Sequence, residues 1–174
     1  MNHILTISHA ALPPSENSIY KIVRKGSFSA IGPTDKAKDF KLSAIADITR
    51  NYGSRLGVLE PRGYYAVVVT YIIPYTTFWV KKWGGEEEDA LRKLDTTNRN
   101  KLSMDVLMSC VGVDDHRFID PLARKRAMHG YEGVIWSIYS IPKELLVVTT
   151  LNHLLNPPDY IDPFGEEAKL LGGR

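Results

Sequence analysis

The 174-residue chain has a single cysteine, Cys110. That rules out a disulfide framework or a Cys-based zinc site within one chain and points to a reducing compartment. An excess of either charge is also missing: 22 Lys and Arg stand against 20 Asp and Glu, a formal +2. So small a bias does not by itself indicate nucleic acid. Long hydrophobic runs are absent too. The longest, Tyr64 to Tyr75, contains Thr70 and Pro74 and is too short to span a bilayer as a helix. Met1-Asn2-His3 has no charged lead and the apolar segment after it is short, so no secretory leader is expected. There is no P-loop, no Gly-x-Gly-x-x-Gly fingerprint and no His-Glu-x-x-His, so no nucleotide cofactor or zinc-protease centre is expected. His3, His9, His116, His129 and His153 show no paired metal spacing, and no internal repeat or low-complexity tract is present.

The length suits one domain and 44% hydrophobic residues suffice for its core. Ile4 to Ile7 reads as a strand, followed by a Pro13-Pro14 loop. Thr34 or Asp35 caps a helix running to about Tyr52, with Ala37, Phe40, Ala44 and Ile48 on one face and Gly53 as its stop. Residues 64 to 75 are β-branched and nearly continuous, the pattern of a strand buried on both faces. A polar segment from Lys81 to Arg92 reads as a loop or short exposed helix. A helix starting near Asn98 follows, then strands near 116 to 126 and from Gly133 to Ile141. The expectation is one small α/β domain over residues 1–142, a mixed β-sheet with helices packed against it. Residues 143–174 would add a C-terminal helix and a Pro- and Gly-containing tail.

Chemistry concentrates around the helix near Asn98. Asp95, Asn98, Lys101 and Asp105 precede or line it, and Asp114-Asp115 follow it. Mg²⁺ is usually held by one or two carboxylates plus a substrate phosphate, and a nearby lysine offsets charge that develops there. Asn98 is a good N-cap type, and Asn98, Lys101 and Asp105 share the face opposite the apolar stripe of Leu102, Val106, Leu107 and Cys110. In this reading both ends of the helix converge on one pocket. The plainer alternative is a solvated helix face followed by an Asp-Asp turn.

A second signal lies in Pro13-Pro14-Ser15 with Asn17, which precedes basic Lys21, Arg24 and Lys25. With Asp95, Asn98, Lys101 and Asp105, then Gly112-Val113-Asp114-Asp115, then Arg124 and Lys125, the chain resembles the RusA-like Holliday junction resolvases over roughly residues 4 to 141. The resemblance implies a Mg²⁺-dependent (or Mn²⁺-dependent) endonuclease that cuts four-way junctions in DNA recombination and repair. It implies Asp95, Lys101 and Asp115 as catalytic residues, Asp95, Asp114 and Asp115 as metal ligands, and Asn98 and Asp105 in support. Asn17, Lys21, Arg24, Lys25, Arg124 and Lys125 would contact DNA. The partners implied are branched double-stranded DNA and a second copy in a homodimer, with no membrane, in the cytoplasm of a bacterium or phage-infected cell.

One position departs from the family pattern. Thr97 stands where the family has a second acid directly before the Asn, and a hydroxyl is a weaker Mg²⁺ ligand than a carboxylate. The alternative is therefore a RusA-like domain that binds branched DNA or a partner with cleavage weakened or lost. Trp79, Trp83 and tyrosines 64, 65, 71 and 75 read either as base-stacking platforms or as core and strand-surface residues.

Overall fold

A computed structural model describes residues 1–15, 18–25, 28–75 and 97–143. The strands are β1 (Asn2–His9), β2 (Tyr20–Lys25), β3 (Phe28–Pro33), β4 (Tyr65–Tyr75), β5 (Phe118–His129) and β6 (Gly133–Ser140). The helices are α1 (Asp35–Leu56) and α2 (Thr97–Val111), with a short 3-10 turn at Asp115–Arg117. Lys81 to Arg92 and the helix candidate from 143 to 155 lie outside the described residues, apart from Lys143.

The architecture is a small α/β domain with a mixed sheet. Its strands run in the order β1-β6-β4-β5, while β2 and β3 pair separately as a hairpin. β4 pairs antiparallel with β6 and parallel with β5, and residues 65 to 73 are all buried, as its nearly continuous apolar run requires. Val67, Val69, Tyr71 and Ile73 join one core with Ala44 and Ile48 of α1 and Leu102, Val106 and Leu107 of α2. Ala66 and Val68 face the other way, toward Ile141, Tyr64, Leu122 and Tyr139. α1 lies against α2 and β1.

Thr34 starts α1, its side chain accepting from the Ala37 amide, which satisfies one orphan donor of the first turn. Its hydroxyl also donates to the Ser18 carbonyl (2.6 Å) and its amide to Ile19 (2.7 Å), so one residue fixes both the helix start and the hairpin base. The expected stop at Gly53 is corrected. α1 continues to Leu56 because Tyr52 and Leu56 extend the buried stripe, whereas Gly53 lies on the exposed side. α2 begins at Thr97, placing Asn98 within the first turn instead of at the cap. Its end is set by Gly112, whose φ of +67° is costly for other residues and whose amide donates to Met108.

The β2–β3 hairpin was not foreseen, since Tyr20 to Lys25 read as a basic stretch. Its signal is two strand-like runs separated by Gly26-Ser27 alone, a two-residue hairpin spacing.

Two glycines give opposite expectations. A Cβ at Gly133 would lie 2.6 Å from the His9 carbonyl oxygen, so Gly133→Ala must shift backbone where β6 meets β1 and should cost about 1–3 kcal/mol. At Gly53 nothing lies within 4 Å of the added carbon, so Gly53→Ala in an exposed helix interior should stabilise by about 0.5–1 kcal/mol. Denaturant unfolding of both variants checks the pair.

Candidate nucleic-acid interface

β1, β4 and β5 run in the same direction, because β6 is antiparallel to both β1 and β4 while β5 is parallel to β4. Their C-terminal ends gather the chain around Pro13, the end of β4 and the start of α2. There the Arg99 guanidinium donates to the Pro13 carbonyl. Lys101 Nζ stands 5.2 Å from the centre of the Tyr20 ring, within cation–π range. The Tyr71 hydroxyl donates to Asn100 Oδ1 at 3.4 Å, anchoring the same turn of α2 to the middle of the sheet. Burial pushes the Tyr71 phenol up to about 12, against the opposing influence of Ser103 and Arg99. The Pro13-Pro14-Ser15 segment, the start of the basic hairpin and Lys101 of α2 thus share one end of the sheet.

Asp114 and Asp115 lie at the other end. The strand after them begins with Phe118 opposite Tyr65, and Arg117 donates to the Arg62 carbonyl at 3.5 Å and covers the Tyr64 ring at 4.9 Å. Tyr71, level with Asn100, is about 20 Å further along β4 at the rise of a strand. The 15 residues of α2 cover a similar distance, about 22 Å. The expected convergence of Asp114 and Asp115 with Lys101 is therefore not found within one chain. A helix joining two parallel strands must travel back along the sheet, so the residues flanking it finish at opposite ends. Asp105 lies on α2 between them, half-buried.

Asp95 and Asn17 fall outside the described residues, as do the side chains of Lys25, Thr97 and Asn98. The side chain of Asp114 is 84% exposed, 4.0 Å from His116. Among the described residues no three His, Cys, Asp or Glu are grouped to hold a metal ion.

The basic candidates divide between surfaces. Lys21 and Arg24 are exposed on β2, and Lys21 is 3.0 Å from Asp35, where the lysine holds the aspartate below the usual carboxylate range. Lys125 is level with Tyr71 and Arg124 with Thr70. Adjacent strand residues face opposite sides, so Lys125 shares the face of Tyr71 and α2, and Arg124 takes the other.

No protein-family model matches the chain, and no curated protein matches it at a significant level of similarity. Among the described residues no helix is long and apolar enough to cross a membrane.

Sequence reasoning passed over Arg99, which fastens α2 to Pro13, and Tyr20, which receives Lys101. Neither follows from spacing, because both contacts join distant segments. It also passed over His9, buried edge-on against Phe40 with Nδ1 3.1 Å from Asp47. Burial lowers the His9 pKa below its ordinary 6.5, and the Asp47 carboxylate opposes that shift. Cys110 is pushed up to about 11 by burial, which leaves a thiol without thiolate reactivity at neutral pH.

The depressed His9 pKa sets a pH dependence. The unfolded ring takes up a proton near pH 6.5 that the native ring still refuses, so the unfolded state binds more protons in that window and stability falls as pH falls through it. The melting temperature should be lower at about pH 5.5 than at about pH 7.5, and His9→Gln should flatten that difference in thermal melts.

Proposed function

We propose that this chain acts on four-way DNA junctions as a RusA-like, Mg²⁺-dependent endonuclease, with the Pro13–Lys101 end of the sheet as its DNA face. The meeting of three separate motif segments there supports the reading: Arg99 reaches Pro13 and Lys101 reaches Tyr20. Residues that act on one phosphodiester must share one surface, however far apart they lie in sequence. Lys101, exposed on the first turns of α2, supplies positive charge where the phosphate gains negative charge. The resemblance implies Asn98 in support of that site, and Arg24 and Lys125 hold the flanking backbone, a contact that releases counterions. A homodimer presents two such faces to a two-fold symmetric junction, in the cytoplasm of a bacterium or phage-infected cell.

The metal is the weaker part of this reading. The ligand set the resemblance implies is Asp95 with Asp115, supported by Asp114, and bound Mg²⁺ would activate water. Among the described residues, Asp114 and Asp115 follow the far end of α2 from Lys101, about 15 Å of helix away, and Asp95 lies outside them. A second reading follows from that separation and from Thr97: the chain recognises branched DNA without cutting it.

Incubating a synthetic four-way junction with the protein in Mg²⁺ and in Mn²⁺ decides between them. The nuclease reading expects symmetric nicks that fall about a hundredfold or more in Asp115→Asn and in Lys101→Ala, the scale for losing a charge used in the transition state. Binding without nicks, with cleavage gained in Thr97→Asp, would establish the second reading. A chain that neither binds nor cuts the junction sinks both.

A further inference from the structure

The β2–β3 hairpin carries apolar side chains that the fold does not use. Ile22 and Ile31 are directly opposed across the two strands and are 70% and 78% exposed. The hairpin is joined to the domain at its base, through Thr34 with Ser18 and Ile19. An isolated two-stranded ribbon is marginally stable, and exposing its largest aliphatic pair to water adds nothing to that stability.

Register defines what surrounds the pair. Tyr20, Ile22 and Arg24 alternate onto one face of β2, with Pro33, Ile31 and Ser29 opposite them on β3. Lys101 sits over the Tyr20 ring at the base of the same face. A single stripe therefore runs Lys101, Tyr20, Ile22 with Ile31, then Arg24, the last four covering about 13 Å of strand. Cations at both ends with aromatic and aliphatic surface between them fit a ligand with phosphates at its margins and an apolar face at its centre. An acidic protein would satisfy the cations and leave the isoleucines wet. A second copy would bury the isoleucines while bringing Arg24 and Lys101 against like charges.

We propose that this stripe is the branch-recognition element of the protein, in which Ile22 and Ile31 cover an unstacked base pair at a DNA branch point while Arg24 and Lys101 hold the adjacent phosphates. The inference rests on the DNA-acting reading above and identifies what makes it structure-selective. Apolar side chains that wedge into intact duplex must first unstack a base step. At a branch the step is already open, so the same contact forms without that cost and favours branched over linear DNA.

The test compares Ile22→Thr/Ile31→Thr with the wild-type chain, threonine keeping the β-branched shape that suits a strand. The probes are a synthetic four-way junction with 2-aminopurine at the branch and a linear duplex of the same length, with binding read by anisotropy in Mg²⁺-free buffer. The wild type should prefer the junction and change the 2-aminopurine emission. The double variant should lose about tenfold or more of junction affinity and the emission change, the scale of losing a base-stacking contact, while binding the duplex as before. Ile22→Trp, with a larger stacking surface, should tighten junction binding, which excludes hairpin unfolding as the cause. A double variant that keeps the wild-type preference overturns the inference and leaves the DNA-acting reading standing. A double variant that becomes monomeric in sedimentation while the wild type is dimeric overturns it in favour of a second copy as the occupant. A wild-type chain that binds neither DNA removes the DNA-acting reading and this inference together.

Discussion

Everything in this domain is arranged around one strand that cannot touch water. β4 is apolar from Tyr65 to Ile73 except at Thr70 and buried along that length, so it needs partners on both edges and cover on both faces. β5 and β6 satisfy the edges, and α1 and α2 cover one face. The parallel pairing with β5 has a further effect, because it requires the chain to return to the bottom of the sheet before β5 begins. α2 is the helix on that return path, and its direction decides which polar residues end up near one another.

That geometry divides the candidate residues around α2. The start of α2 is held at the upper end by the Tyr71–Asn100 and Arg99–Pro13 hydrogen bonds, while Asp114 and Asp115 are carried to the lower end with Arg62 and Tyr64. The upper end acquires Lys101 over the Tyr20 ring. The lower end acquires exposed carboxylates together with Arg117 over the Tyr64 ring. Placement within one chain therefore puts Lys101 and the Asp114–Asp115 pair at opposite ends of the sheet.

The elements legible in the sequence were those with an uninterrupted local signal. β4 announced itself by β-branched residues, α1 by the spacing of Ala37, Phe40, Ala44 and Ile48, and β6 by Val134 to Tyr139. The end of α1 was less legible: Gly53 reads as a stop, yet one exposed glycine costs about 1 kcal/mol, less than the burial of Tyr52 and Leu56 returns. The hairpin was hidden for a different reason. Lys21, Arg24 and Lys25 interrupt its apolar alternation, and its exposed isoleucines do not follow the rule that one strand face should be polar.

By itself the sequence determined the α/β class, the two-sided burial of β4, a helix start at Thr34 or Asp35 and the candidate residues around α2, since each depends on neighbours within a few positions along the chain. Only the tertiary structure decided which of those candidates meet. Lys101 reaches Tyr20, Arg99 reaches Pro13 and Asp115 stands apart from both, because about 15 Å of helix from Lys101 to Val111 separates residues that are close in sequence and sheet pairing unites segments that are not.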